Sequence, residues 1–327
     1  MKRRTFIAAS LGTMGASVFA AWPSRDQVHA GAALAFGTTI TVALVHADAR
    51  LARLAISDAL AAAQRVDHLM SIYRPDSQVY RLNEDGVLHR PDAQLLAVLA
   101  QARALSQLTD GAFDITVQPL WRAFDAAASR HAVPTEAQRR AALALAGWRD
   151  MEFDENQVRF ARPGMALTLN GLAQGYAADM ALAALRAHGI QHALLDTGEF
   201  VARGRKRAHQ PWVLGVRDPR DAQALAATLH INGCAVATSG DYATAFTPDY
   251  RHHHIFDPAL GDSPQELASV TVMANTGMLA DGLSTAFMVL GRERASVLAA
   301  SLPGVDLLAI DKQGKAWRSP GFPASAA

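Results

Sequence analysis

One cysteine in 327 residues leaves this chain without the means for an internal disulfide framework or a cysteine-based zinc cage. Cys234 stands beside Ala235 and Val236 and reads as a small buried hydrophobe rather than a reactive thiol. Excess charge is also missing. The net charge is +1 and the basic residues, mostly arginine, are scattered rather than striped, which excludes the electrostatic footprint of a nucleic-acid-binding protein. Beyond the first residues no apolar run is long enough to span a bilayer, and there is no internal repeat or low-complexity block. Half of the residues are hydrophobic, enough to build one large core or two modest ones.

The opening residues, "MKRRTFIAASLGTMGASVFAAWPS", run from a basic head through a short apolar stretch to small residues. That is the order of an export signal, and Arg3-Arg4 followed by Thr5-Phe6-Ile7 gives it the twin-arginine pattern. The expectation is a twin-arginine signal over residues 1–30 and a single domain over 31–327, located in the periplasm. Val28-His29-Ala30 and Val18-Phe19-Ala20 are the two small-residue cleavage sites.

Along the mature chain, alternation with β-branched residues predicts a strand over Gly37 to Val45. Helical patterns follow at about 48–70 and 92–109, and a short one runs from Thr135 to before Gly147. "MEFDENQVRF" reads as a hairpin, and Ile115-Thr116-Val117 as a short strand. "ALTLNGLAQGYAADMALAALRAHGIQHALLD" reads as strand, glycine turn, helix, a stop at Gly189, and strand. From Trp212 short strands dominate, until helices at about 277–290 and 293–301. Strands and helices mix without strict alternation, so the fold class is α+β, with mixed sheets and packed helices. The connection from about 244 to 266 is long for a structureless loop, and such loops are often functional.

Four stretches carry side chains suited to chemistry. In "NTGMLADGLSTAFMVLG", Leu279, Leu283, Phe287 and Leu290 form a core stripe. Asp281 and Thr285, four residues apart, share the opposite face. The ordinary reading of that pair is a solvated polar face. A carboxylate and a hydroxyl among small neighbours are also a hard-oxygen pair suited to Mg²⁺. The glycine turn at Asn170-Gly171, leading through Gly175 into a helix, exposes backbone amides where phosphates bind well, although a plain tight turn has the same composition. "MSIYRPDSQVYRLN" sets an aromatic ring and a guanidinium on a turn. "YRHHHIFDP" places three histidines in sequence; consecutive residues of an extended segment point to alternate faces and cannot all aim at one ion. A zinc hydrolase built on that run also lacks HExxH spacing.

Taken in order, these stretches resemble the FAD:protein FMN transferase family, the ApbE-like proteins. The resemblance rests on "GTT" at Gly37, "MSIYRPDSQVYRLN" from Met70, "GAFDITVQPL" from Gly111 and "GYAAD" from Gly175. It continues through "TSGDY" from Thr238, "HIFDP" from His254, "ASVTV" from Ala268 and "ADGLSTA" from Ala280, covering about residues 36–308. It implies an ApbE-like, T-fold-like architecture and an enzyme that splits the pyrophosphate of FAD. FMN passes to a Ser or Thr hydroxyl of a target protein, and AMP is released. Matched residue by residue, it implies Mg²⁺ on Gly171, Asp281 and Thr285. Flavin-nucleotide contacts fall on Phe36, Tyr73, Ala112, Phe113, Asp114, Thr168, Gln174 and Ile255. His254, in the H-I-x-D-P position, is the candidate base for the incoming hydroxyl, since a histidine titrates near neutral pH; Asp281 is the second residue assigned to catalysis.

The turn departs from the family's D-L-G-G-I-A-K-G, having Thr168 and Gln174 at its acidic and cationic positions. The usual V-D-x-G-G-E is likewise altered to Leu195-Asp196-Thr197-Gly198-Glu199. The "LNGxAQGY" form looks like the branch associated with nitrous-oxide-reductase maturation, whose acceptor is a membrane flavoprotein. Two other activities fit the same residues, an FAD pyrophosphatase releasing FMN and AMP to water, and a periplasmic FAD-binding maturation protein that transfers nothing.

Overall fold

The structure is a computed structural model and describes residues 27–207 and 210–323. The twin-arginine motif and the cleavage site at Ala20 lie outside the described residues. Chain order begins with a hairpin, β1 (Gln27–Ala35) and β2 (Thr38–His46), followed by α1 (Ala49–Met70), α2 (Gln78–Asp85) and β3 (Val87–His89). Next come α3 (Ala93–Leu108), a 3-10 turn over Ile115–Val117, α4 (Gln118–Ala128), α5 (Glu136–Leu143), β4 (Met151–Phe153) and β5 (Gln157–Phe160). Helix α6 (Ala173–Ala187) leads to β6 (Ala193–Asp196), β7 (Phe200–Arg203), β8 (Trp212–Arg217), β9 (Leu225–Ile231) and β10 (Cys234–Gly240). The chain closes with β11 (Leu267–Ala274), α7 (Gly277–Ser301), β12 (Asp306–Asp311) and β13 (Ala316–Arg318).

The α+β expectation holds. Eight strands form one antiparallel sheet in the order β1-β2-β6-β7-β10-β11-β12-β13. Helices α1, α6 and α7 pack on one face. On the other face lies the separate hairpin β8–β9, whose Trp212, Leu214, Leu229 and Ile231 bury against Val236, Leu308 and Ile310. With both faces covered, β11 (LASVTVMA) is apolar and buried almost throughout instead of alternating. Local signals start the helices: Asp48 accepts the Arg50 and Leu51 N–H groups at the head of α1, and Thr135 and Gln138 form a reciprocal capping box on α5.

Two readings of the sequence are corrected. The apolar run Ile115-Thr116-Val117 is a 3-10 turn, not a strand. The Asp114 carboxylate accepts the Thr116 N–H and hydroxyl at 2.7 and 2.6 Å, and this local bonding displaces a ladder. The stretch before Gly171 is extended but pairs with no strand, because Leu167 exchanges both backbone bonds with the Asn83 side chain at 2.7 and 2.8 Å. The two C-terminal helices read from the sequence are the two arms of α7, which meet at a kink at Gly291, whose φ of 73° is left-handed. The leader boundary at residue 30 falls inside β1, whose Gln27 to Ala30 pair with Ala43 to His46.

Candidate active site

A cavity of about 710 Å³ opens where the glycine turn, the middle of α7, the ends of β6 and β10 and the hairpin β8–β9 meet. Its base is built on close backbone approach. Gly175 lies directly against Gly277, so a Cβ on Gly175 would stand 2.2 Å from the Gly277 carbonyl oxygen. This crossing of α6 on α7 lets the Gly175 N–H donate to Asp281 Oδ2 at 3.0 Å. Asp179, one turn further along α6, caps α7 by accepting the Gly277 and Met278 N–H groups at 2.7 and 2.9 Å. At Gly171 a Cβ would stand 2.9 Å from Thr285 Oγ1, so the turn's backbone rests on that hydroxyl.

Asp281 and Thr285 therefore face the cavity together rather than solvent, and Asp281 is only 4 % exposed. Ser239 ties them to the sheet through Oγ contacts of 2.8 Å to Ser284 and 3.2 Å to Thr285. Burial pushes the Asp281 carboxyl up to about 7 against the Gly175 hydrogen bond, and the Asp179 charge adds to the rise. Glu199, on the β6–β7 turn, is driven well above its usual range by burial and then by the Asp281 charge, while the Thr238 N–H opposes. Two carboxyls held this way mark a site short of positive charge.

Gly171, Asp281 and Thr285, the expected metal set, line one cavity, and so do Ala112, Phe113, Asp114, Thr168, Gln174, His254 and Ile255. Phe36 and Tyr73 do not. Phe36, at the tip of the β1–β2 hairpin with φ 54°, packs its ring against the core, and Tyr73 is 58 % exposed on the turn after α1. Two of the expected nucleotide contacts have structural bonds of their own. Asp114 holds Thr116 and accepts the Trp148 N–H at 3.0 Å, and Gln174 donates to the Thr197 carbonyl at 2.8 Å.

The three histidines go separate ways. His252 contacts Asp262 at 2.7 Å, and Arg139 pairs with the same carboxylate. His253 is fully buried with Nε2 3.2 Å from the Pro264 carbonyl, and burial drives it down to about 3, so it stays neutral. His254 lines the cavity, its N–H donating to the Thr244 carbonyl at 3.0 Å.

Glu199, Asp179, Arg217 and Tyr242 escape the residue-level reading. Glu199, Asp179 and Tyr242 lie inside the motifs GEF, GYAAD and TSGDY, but nothing in their spacing specifies a partner on another element.

The ApbE family profile matches residues 36–309, most of the chain. The chain belongs to the ApbE family. It is 31% identical to the FAD:protein FMN transferase of Vibrio cholerae over 91% of this chain and 92% of that protein. The Salmonella typhimurium protein of the same name is 33% identical, over 88% and 86%. Among solved structures, the Thermotoga maritima ApbE protein superposes with a TM-score of 0.81 at 29% identity, covering 90% of this chain and 97% of that one. The flavin transferase ApbE from Vibrio cholerae gives 0.78 at 28% identity, covering 91% and 98%. The ApbE-like architecture inferred from the motifs is thus the observed one, and the ApbE residues it named converge on one cavity apart from Phe36 and Tyr73.

Proposed function

We propose that this ApbE protein is an Mg²⁺-dependent FAD:protein FMN transferase that modifies a Ser or Thr hydroxyl of a protein in or facing the periplasm. The observation that carries the reading is the convergence of Gly171, Asp281, Thr285 and His254 on one cavity. Among the described residues no three His, Cys, Asp or Glu side chains gather as a metal cage. The donor set is of a different kind, one carboxylate, one hydroxyl and a backbone carbonyl. All three are hard oxygens, which suits Mg²⁺ completing its shell with water and phosphate. The elevated Asp281 carboxyl fits such a cation, because a buried carboxylate with one N–H donor lacks compensating charge. When bound there, Mg²⁺ would supply positive charge against the diphosphate of FAD.

The chain's own residues do the rest. The acceptor hydroxyl loses its proton to His254 while its oxygen forms a bond to the FMN-side phosphorus. The bond from that phosphorus to the bridging oxygen breaks, and AMP departs with the oxygen. Tight backbone contacts at Gly171 and Gly175 keep Asp281 and Thr285 from shifting during this exchange. The twin-arginine motif at Arg3-Arg4 supports an acceptor on the periplasmic side, and the resemblance of the "LNGxAQGY" turn to the nitrous-oxide-reductase maturation branch supports a membrane electron-transfer flavoprotein.

The test is incubation with FAD, Mg²⁺ and a peptide bearing a Ser/Thr acceptor site. FMN attached to the peptide by mass is the expected result, and His254→Ala should slow it by roughly 10²–10⁴-fold. FMN appearing only in solution would make the protein a pyrophosphatase, and FAD retained with neither product would make it a carrier. Wild-type rate in His254→Ala would remove the base assignment.

A further inference from the structure

The cavity is poorly suited, at first sight, to an anion. Among the described residues four carboxylates line it, Asp114, Asp196, Glu199 and Asp281, against a single Lys or Arg side chain, Arg217. Asp114 and Asp196 are occupied by backbone N–H groups of Trp148 and Gly198. Glu199 and Asp281 face a shared space. Arg217 stands at the end of β8, half-buried, its backbone in the β8–β9 ladder, and its side chain forms no ion pair or hydrogen bond with the described residues. Its guanidinium instead lies over the Tyr242 ring, 5.5 Å from the centroid, a contact that orients the planar group without using its five donors.

The two loops that carry this pair are clasped together. Three residues beyond Arg217, Arg220 grips the fully buried Asp241, next to Tyr242, with two hydrogen bonds of 2.7 Å. A bidentate pair of this kind fixes both position and angle. The clasp leaves an arginine aimed into the cavity with its donors unspent, the arrangement of an anion receptor set up before its ligand arrives.

We propose that Arg217 is a phosphate-binding residue of this cavity, donating to a non-bridging oxygen of the dinucleotide's diphosphate, with Tyr242 as its support. The proposal rests on the reading of the cavity as an FAD site and adds to it a cationic contact from the hairpin, separate from the Gly171–Asp281–Thr285 oxygens. An arginine here would also offset the cationic side chain that Gln174 does not supply.

The experiment compares full-length mature wild type with Arg217→Gln and Arg217→Lys, each titrated in Mg²⁺ buffer with FAD, ADP and riboflavin. ADP carries the diphosphate without the flavin, and riboflavin carries the flavin without phosphate. Flavin binding is read by fluorescence and ADP binding by calorimetry. Arg217→Gln is expected to raise the Kd for FAD and ADP by roughly 10- to 100-fold and leave riboflavin within about twofold, with Lys recovering part of the loss. Unchanged FAD and ADP binding would overturn the proposal. An equal loss for riboflavin would overturn it too, as the mark of a damaged cavity. Restored FAD binding when Arg217→Gln is combined with Glu199→Gln would show that Arg217 serves only to neutralise Glu199, and would sink it as well. Failure of the wild type to bind FAD or ADP is a distinct result, which removes the FAD reading itself and the Arg217 role with it.

Discussion

Asp281 sits where folding and ligation pull in opposite directions. Its carboxyl, ordinarily ionised above 3.8, is raised by burial to about 7, so the folded chain keeps this proton over a range where the unfolded chain has lost it. Without metal, the contribution of this one group to stability is therefore fully present below about pH 4 and is lost as pH rises towards 7, an amount of order 4 kcal/mol for a shift of this size. Mg²⁺ requires the ionised form, so its affinity should climb by up to about tenfold per pH unit and level off above about pH 7. Glu199, raised by the same burial, pushes in the same direction. Calorimetric Mg²⁺ titrations across that range check this, and an affinity flat with pH would refute it. Asp281→Asn should weaken Mg²⁺ binding at least tenfold at neutral pH. The Asp281–Thr285 pair was legible beforehand because four residues on a helix is a fixed distance. Glu199 was not, because its partner lies 82 positions away and only the fold supplies that proximity.

At the scale of elements, the site depends on how closely α6 can lie on α7. Gly175→Ala would put a methyl 2.2 Å from the Gly277 carbonyl oxygen and 2.8 Å from Asp281 Cβ, with backbone on one side that cannot move aside. The helices must separate, costing roughly 1–3 kcal/mol, and the Gly175 N–H must leave Asp281. A lower Tm together with weaker Mg²⁺ binding is expected; a variant that melts with wild type would show that the crossing is not tight. The same scale shows what could be read in advance. Long periodic helices such as α1 and α3 were visible because their apolar spacing and Asp caps agree. Ile115-Thr116-Val117 and the stretch ending at Leu169 misled because the deciding partners are side chains, Asp114 and Asn83, that bond to backbone. Strand β1 escaped because its small residues, QVHAGAALA, overlap the composition of a cleavage zone. Gly31 explains part of that composition: a Cβ there would stand 2.4 Å from Ile56 Cγ2 on α1.

For the whole molecule, β1 lies at one edge of the eight-stranded sheet and is paired from Gln27 onward. Cleavage after Ala30 would remove four paired residues from the strand, whereas cleavage after Ala20 would leave it whole. Replacing Arg3-Arg4 by two lysines should hold the precursor in the cytoplasm, with the protein's migration and fraction read after cell fractionation. Periplasmic delivery of that variant at the normal level would rule out the twin-arginine route. The residues that make up the cavity come from nearly every part of this plan, but the oxygens assigned to the metal stand on one helix and the turn packed against it. That helix is interrupted: at Gly291 the backbone turns left-handed, and the Glu266 carboxylate accepts the Arg292 N–H at 3.2 Å as the second stretch begins. The arm bearing Asp281 and Thr285 thus ends before the arm bearing exposed Val297 starts. A fluorophore or tether attached at Val297 would sit on solvent-facing surface across the kink from the assigned oxygens, and Mg²⁺ affinity is expected to stay within about twofold of the unlabelled protein.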